Sequence, residues 1–241
     1  MTLEILFPEL ANLYGESANG KYLAACAPAL QLQYTENTAV PLFVSGQADM
    51  IYIGSMTESG QELALRRLLP YRQQLWERIE AGTVVLATGN ALELFGQEIL
   101  DGQTHIPALG YFPFSACRHL ENPEVRHNSM FLGHFGDMPV VGCKSQFSHC
   151  TGSVEPAFLE VDGGFGSVPG SRQEGLHYRN LFATYLLGPL LIRTPPLARH
   201  LLGLLGFDGP LALEQEAMEA YHYRLQELRQ EGVHFRIGEH G

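Results

Sequence analysis

Thr83-Val-Val-Leu-Ala-Thr-Gly-Asn-Ala-Leu-Glu-Leu-Phe-Gly96 decides the reading of this chain. Val84 to Ala87 is a short, wholly apolar, β-branched run, the composition of a strand buried on both faces of a parallel sheet. Thr88-Gly-Asn90 then reads as a tight turn, and Ala91 to Phe95 as the start of a helix. Strand, sharp turn and helix make the outline of a nucleophile elbow, in which the turn presents one side chain and the helix N-terminus faces the charge that develops in a reaction. Here the turn carries Gly89, which has no side chain. The frame of an active site is present without its nucleophile.

Outward from this stretch, strands alternate with helices. Leu3 to Leu6, Leu30 to Tyr34 and Ala48 to Ile53 are predicted strands, with helices near Gly20 to Cys26 and from Glu62 to Ala81. Such alternation implies parallel pairing through crossover connections. Ligands bind beyond the strand C-termini in sheets of this kind, where the Gly54 loop and the Gly89 turn both fall. The second half is richer in Gly, Pro and aromatic residues, and Ala108 to Phe114, Val140 to Phe147 and Phe158 to Val161 are predicted strands. In the tail, Leu211 to Gly232, the residues Met218, Tyr221, Leu225 and Leu228 form one apolar stripe at helical spacing. That stripe serves either the chain's own core or a partner.

Five stretches in order carry a resemblance. Leu86-Ala-Thr-Gly-Asn-Ala-Leu-Glu-Leu-Phe-Gly96 resembles the Leu-Ala-Ile-Cys-Gly-Gly-Tyr-Gln-Leu-Leu-Gly motif of class I glutamine amidotransferases, in the branch of cobyric acid synthase and the small subunit of lipid II isoglutaminyl synthase. Ile5 to Gly15 with Asn19 resembles the opening Pro-Asp-Leu-Leu-Asn-Leu-Tyr-Gly-Asp-x-x-Asn of that branch, and Ile53 to Gln61 its Ile-Gly-Gly-Gly-Gln-Asp-x-x-Gln. Glu174-Gly-Leu-His-Tyr-Arg-Asn180 is similar to its Glu-Gly-x-x-Tyr-x-Asn, and Ala183 to Leu191 to its Gly-Thr-Tyr-Leu-His-Gly-Pro-Leu-Leu. The match spans roughly residues 5 to 205, and ordered motifs are far more specific together than singly.

The resemblance implies a three-layer, flavodoxin-like α/β fold with a mainly parallel central sheet. It implies residues 1–209 as the amidotransferase-like domain; residues 210–241 lie beyond the resemblance and are expected, from the apolar stripe, to be a helical tail packed on the same domain. It implies no cofactor. The departures fall on the chemistry. Gly89 stands where the family has its nucleophilic Cys, Leu187 where it has the activating His, and Pro189 where some members carry a third, carboxylate residue. A covalent acyl intermediate needs a strong nucleophile, and a thiolate near neutral pH needs a neighbouring imidazole. The family's oxyanion-hole positions correspond to Gly54 or Ser55 and to Asn90, with Met56, Glu93 and His177 as further pocket-lining candidates. Met56 replaces a family glycine and has the bulk to fill the glutamine space. Gly142-Cys-Lys-Ser-Gln-Phe-Ser148 keeps little of the family segment that positions glutamine.

Three functional readings are open. The first is a noncatalytic glutamine amidotransferase-like subunit, whose partner by resemblance is an ATP-dependent amide ligase of the Mur-ligase type. The second is an active amidase or amidotransferase with a relocated nucleophile, in cell-wall precursor or cobalamin amidation. The third is a small-molecule sensor that uses the vacant pocket.

Global properties narrow the classes. At 241 residues and 45% hydrophobic content, the chain can bury one substantial core. A formal net charge of −11 argues against nonspecific nucleic-acid or anionic-membrane binding. Met1-Thr-Leu-Glu-Ile5 has no signal-peptide character, and the longest apolar stretch, Leu181 to Ile192, is too short to span a bilayer. These features predict a cytoplasmic protein, with homo-oligomerisation left open. Cys26, Cys117, Cys143 and Cys150 form no CxxC pair, and the spacing of His134, Cys143, His149 and Cys150 fits no common structural zinc pattern, so no metal is expected.

Overall fold

The computed structural model describes residues 1–119, 127–230 and 233–235. Its centre is a six-stranded sheet. In chain order the strands are β1 (Thr2–Leu6), β2 (Gln31–Thr35), β3 (Met50–Ile53) and β4 (Val84–Thr88), followed after a long insertion by an antiparallel pair. The insertion supplies β5 (Glu98–Asp101), β6 (Thr104–Pro107), β7 (Phe114–Arg118), β8 (His127–Phe135), β9 (Met138–Gln146), β10 (Ser148–Gly152), β11 (Leu159–Gly163) and β12 (Gln173–Glu174). The central sheet is completed by β13 (Leu176–Tyr178) and β14 (Leu181–Thr184). Its order is β13-β14-β4-β3-β1-β2, parallel throughout except for the edge strand β13.

Alternation along the strands builds three layers. Ile51, Ile53, Val85 and Ala87 face helices α2 (Glu58–Leu68) and α3 (Arg72–Glu80) through Ala64, Leu65, Leu75 and Ile79. Met50, Tyr52, Val84 and Leu86 point the other way, to α1 (Ser17–Cys26), α4 (Leu190–Arg193) and α5 (Pro195–Leu204). Both faces of β3 and β4 are therefore dry, which is why their sequences read as continuous apolar runs.

The single helix predicted over 62–81 is two. Pro70 lies in a short 3-10 turn, Leu69–Tyr71, between α2 and α3, because proline has no N–H to continue the α-helical ladder. Thr57 starts α2 four residues ahead of the predicted boundary, its hydroxyl accepting from Gly60 N at 3.2 Å. In the insertion, Ala108 to Phe114 is mostly a connection between β6 and β7 rather than a strand. The insertion forms two four-stranded sheets, β10-β7-β5-β6 and β12-β11-β8-β9. The hairpin β8–β9 turns through Gly136-Asp137, with Gly136 at φ 55.

The tail helix α6 (Glu214–Leu228) packs Tyr221, Leu225 and Leu228 on Leu132 and Val141 of that hairpin. Residues 231–232 and 236–241 of the tail lie outside the described residues. Among the described residues no helix is long and apolar enough to cross a membrane.

Candidate functional site

The turn after β4 has the backbone of an elbow. Gly89 sits at φ 62, in the left-handed region that costs glycine nothing. The turn leads into a seven-residue 3-10 helix, Gly89–Phe95, instead of the predicted α-helix. The chain is turned at once into β5, and a Cβ at Gly96 would stand 2.7 Å from Phe114 O, so only glycine fits that exit.

The space a nucleophile would need is taken. A Cβ built on Gly89 would lie 2.3 Å from Ser55 Cβ, 3.2 Å from Ser55 Cα and 3.3 Å from Leu187 Cδ2. Ser55 is held there by Glu16. Ser55 Oγ donates to Glu16 Oε1 at 2.6 Å, and Gly188 N donates to the same oxygen at 3.0 Å. Tyr52 OH and Thr88 Oγ1 each donate to Glu16 Oε2 at 2.7 Å. Glu16 is fully buried, and its carboxylate joins the loops beyond β1, β3, β4 and β14. Its approach requires two further glycines: a Cβ on Gly54 would stand 2.5 Å from Glu16 Cβ, and one on Gly188 2.4 Å from Glu16 Oε2. Asn19 extends the network, donating to Tyr52 OH at 2.9 Å and accepting from Leu191 N at 2.9 Å. Burial, and then the Glu16 charge, push the Tyr52 hydroxyl well above its ordinary range.

The remaining candidates are also engaged. Asn90 clamps the Met56 backbone on both sides, accepting from Met56 N at 3.0 Å and donating to Met56 O at 2.9 Å. Met56 itself is buried at 2% exposure in the core on the α2 side. Glu93 lies fully buried behind the site, where its Oε1 accepts from Ser148 Oγ and from Tyr185 OH (3.0 Å) and its Oε2 from Gln61 Nε2 (2.8 Å). Burial raises the Glu93 carboxyl above its usual value, opposed by those three hydrogen bonds. Gln61 in turn accepts from the buried Arg118 at 2.8 Å.

His177 does not belong to this pocket. Its ring stacks on Phe182 at 4.6 Å between centroids, among Phe135, Phe158 and His200 on the opposite face of the sheet. Strand alternation is the cause: Leu176 and Tyr178 pack toward the α2 side, so the residue between them points away. Burial lowers the His177 imidazole below its ordinary value.

What remains of the site is a cavity of about 100 Å³. Small-molecule sites ordinarily enclose roughly 300–1,000 Å³. Ser55, Met56, Gly89, Asn90, Tyr185 and Leu187 line it together with Ser145 to Ser148. Just behind, Lys144 is buried with Glu174 at 2.5 Å and also donates to Phe165 O at 2.8 Å. Glu174 accepts in addition from Ser167 Oγ, Thr184 Oγ1 and Tyr185 N.

The four residues considered for zinc are dispersed in function. His134 pairs with Asp162, His149 with His119 and Cys150 with Tyr185, while Cys143 accepts from Arg193. Among the described residues no group of three or more His, Cys, Asp or Glu side chains could hold a metal ion. Sequence reasoning missed Glu16, Tyr52 and Tyr185. Glu16 was open to discovery, since it follows Gly15 where the resembled motif has an Asp, three residues ahead of Asn19.

Known structures share this architecture. A crystal structure of a glutamine amidotransferase superposes with a TM-score of 0.54 at 13% identity, over 85% of this chain and 99% of that one. PurLQS from Thermotoga maritima gives 0.53 at 10% identity, over 93% and 98%. The glutaminase domain of Trypanosoma brucei CTPS, solved with bound acivicin, gives 0.51 at 10% identity, over 86% and 94%. The fold is that of class I glutamine amidotransferases. In sequence, the chain is homologous to the GatD subunit of the glutamine-hydrolysing lipid II isoglutaminyl synthase of Staphylococcus aureus, at 27% identity over 212 residues, 84% of this chain and 83% of that protein. No family model matches the chain.

Proposed function

We propose that this protein is a noncatalytic glutamine amidotransferase-like subunit, a pseudo-glutaminase that serves a structural or regulatory role beside an ATP-dependent amide ligase of the Mur-ligase type. One observation carries the reading. The position of the nucleophile is empty of a side chain and its space is filled by Ser55, 2.3 Å from where a Cβ would stand. Leu187, in the base position, has no proton to exchange. The homology to GatD supports a subunit of an amidating assembly, and with it a place in peptidoglycan precursor chemistry.

A relocated nucleophile has two serine candidates, Ser55 and Ser148, which line the cavity and touch the carboxylates of Glu16 and Glu93; Glu93 is also held by Gln61 and Tyr185. Glu16, however, accepts from Tyr52, Thr88 and Gly188 as well. A carboxylate engaged by four donors, two on strands β3 and β4 and two in the loops beyond β3 and β14, has the wiring of a structural node.

Ammonia release from glutamine by the purified chain tests the proposal. The natural chain is expected to be silent. Ammonia release by the natural chain overturns the noncatalytic reading, and its loss on Ser55→Ala or Ser148→Ala would identify the nucleophile. The Gly89→Cys/Leu187→His variant is also expected to be silent, because Ser55 still blocks the Cys side chain; adding Ser55→Gly is the minimum change that makes room. Affinity purification from the native cell tests the partner: recovery without any ligase removes the subunit assignment.

A further inference from the structure

An apolar cleft lies away from the Gly89 turn, between hairpin β8–β9, α4 and α6. It encloses about 380 Å³, within the range of roughly 300–1,000 Å³ usual for small-molecule sites. Met130, Val141, Ile192 and Ala220 supply apolar wall, and Ile192 is 39% exposed. Its charged lining residues are both arginines, Arg193 and Arg224. Among the described residues no Asp or Glu lines it, although the chain as a whole carries a formal net charge of −11. Arg193 Nη1 donates to Cys143 Sγ at 2.6 Å, which holds one guanidinium over the floor of the cleft. Arg224 Nε lies 3.5 Å from Glu227 Oε2, one turn along α6 and outside the lining.

Two guanidiniums beside an apolar wall form a sharp chemical preference. Guanidinium binds carboxylate and phosphate oxygens through paired N–H groups, and loses less on desolvation than ammonium. The wall rewards an apolar body and disfavours a fully hydrated ion. We propose that this cleft binds a small amphipathic anion, with its carboxylate or phosphate head between Arg193 and Arg224 and its apolar body against Met130, Val141 and Ile192. The site is independent of the Gly89 turn and does not rest on the pseudo-glutaminase reading. It uses α6, so it gives that helix a role beyond covering the hairpin.

Octanoate and octyl phosphate are suitable probes, with 1-octanol as the neutral control. Calorimetric titration of the full chain is expected to show one site for an anion and weaker binding of octanol. Arg193→Gln and Arg224→Gln are each expected to weaken anion binding by about tenfold or more, the scale of one lost charge-assisted hydrogen bond. Arg→Lys at either position should recover part of it. The relative affinities of the two anions assign the head as carboxylate or phosphate. A second readout needs no variant: the anion should slow alkylation of Cys143 by iodoacetamide, mapped by peptide mass. Absence of heat and of Cys143 protection at millimolar anion overturns the proposal. So does octanol binding as tightly as octanoate, or unchanged affinity in both glutamine variants.

Discussion

Gly89→Ala is the substitution whose consequences stem most directly from the geometry. The new methyl costs backbone energy first, because φ 62 is a left-handed conformation, which disfavours an L side chain by about 1–2 kcal/mol. It also cannot coexist with Ser55, whose Cβ would be 2.3 Å away. Ser55 must withdraw, and its 2.6 Å bond to the fully buried Glu16 carboxylate is lost. A hydrogen bond to a buried charged group contributes about 1.5–3 kcal/mol. Together the expected destabilisation is about 2.5–5 kcal/mol, or about 5–20 °C in melting temperature for a chain of this size. Denaturant unfolding of a five-variant set, the three single substitutions Gly89→Ala, Ser55→Gly and Ser55→Ala and the two doubles, separates the two causes. In a Ser55→Gly background the clash with Cβ is gone and the bond to Glu16 is already lost, so Gly89→Ala should cost only the backbone part, about 1–2 kcal/mol. In a Ser55→Ala background the bond to Glu16 is also already lost but the Cβ remains, so any cost above that backbone part measures the clash alone. A Gly89→Ala chain that melts with the natural one, or that costs the same in the Ser55→Gly background, would refute the placement of Ser55 as the obstacle.

Other outcomes can be read from the same contacts. Glu16→Gln leaves one acceptor oxygen facing four donors, and each orphaned donor should cost about 1–3 kcal/mol in denaturant unfolding. Lys144→Met strands Glu174 in a fully buried environment, and breaking such a pair from one side should cost about 3–5 kcal/mol. Leu225→Ala, at the α6 contact with Leu132 and Val141, should cost about 2–3 kcal/mol and loosen the tail helix. His177 has a folded-state value lowered by burial. The unfolded chain therefore binds more protons below about pH 6.5, and His177 withdraws stability as the pH falls from there to its folded value. His177→Phe should remove that loss, so the variant gains on the natural chain as the pH drops; parallel stability curves would refute the assignment.

The layers of the fold were legible because their cause is local. The apolar run Val84 to Ala87 and the alternating strands and helices specify a parallel sheet without reference to the rest of the chain. Helix boundaries were less so. Pro70 announces its break in the sequence, but nothing in the local sequence announces the 3-10 form of Gly89–Phe95. That Gly89 and Leu187 carry no reactive side chain was legible directly. What fills the space beside them was not, since Ser55 and Glu16 lie 34 and 73 residues from Gly89 and meet it only through the crossovers. His177 was misplaced by reading a motif as a site. The alternation of Leu176, His177 and Tyr178 along β13 sends that imidazole to the other face of the sheet.

A working glutaminase pocket must keep space open for substrate and hold polar groups in reserve for the transition state, and both costs fall on the stability of the fold. In this chain neither reserve is kept. Ser55 and Leu187 occupy the space above Gly89, Met56 is packed into the core, and Asn90 spends its side-chain amide on the Met56 backbone. Glu16, Glu93 and Glu174 are all buried acids with several donors each, set around one small cavity. Hydrogen-bonded networks of this kind rigidify the loops they join and penalise any partial rearrangement. The strand ends that would flex around a substrate are instead cross-linked to one another. The surface above them is thereby fixed in shape, as the proposed noncatalytic role requires.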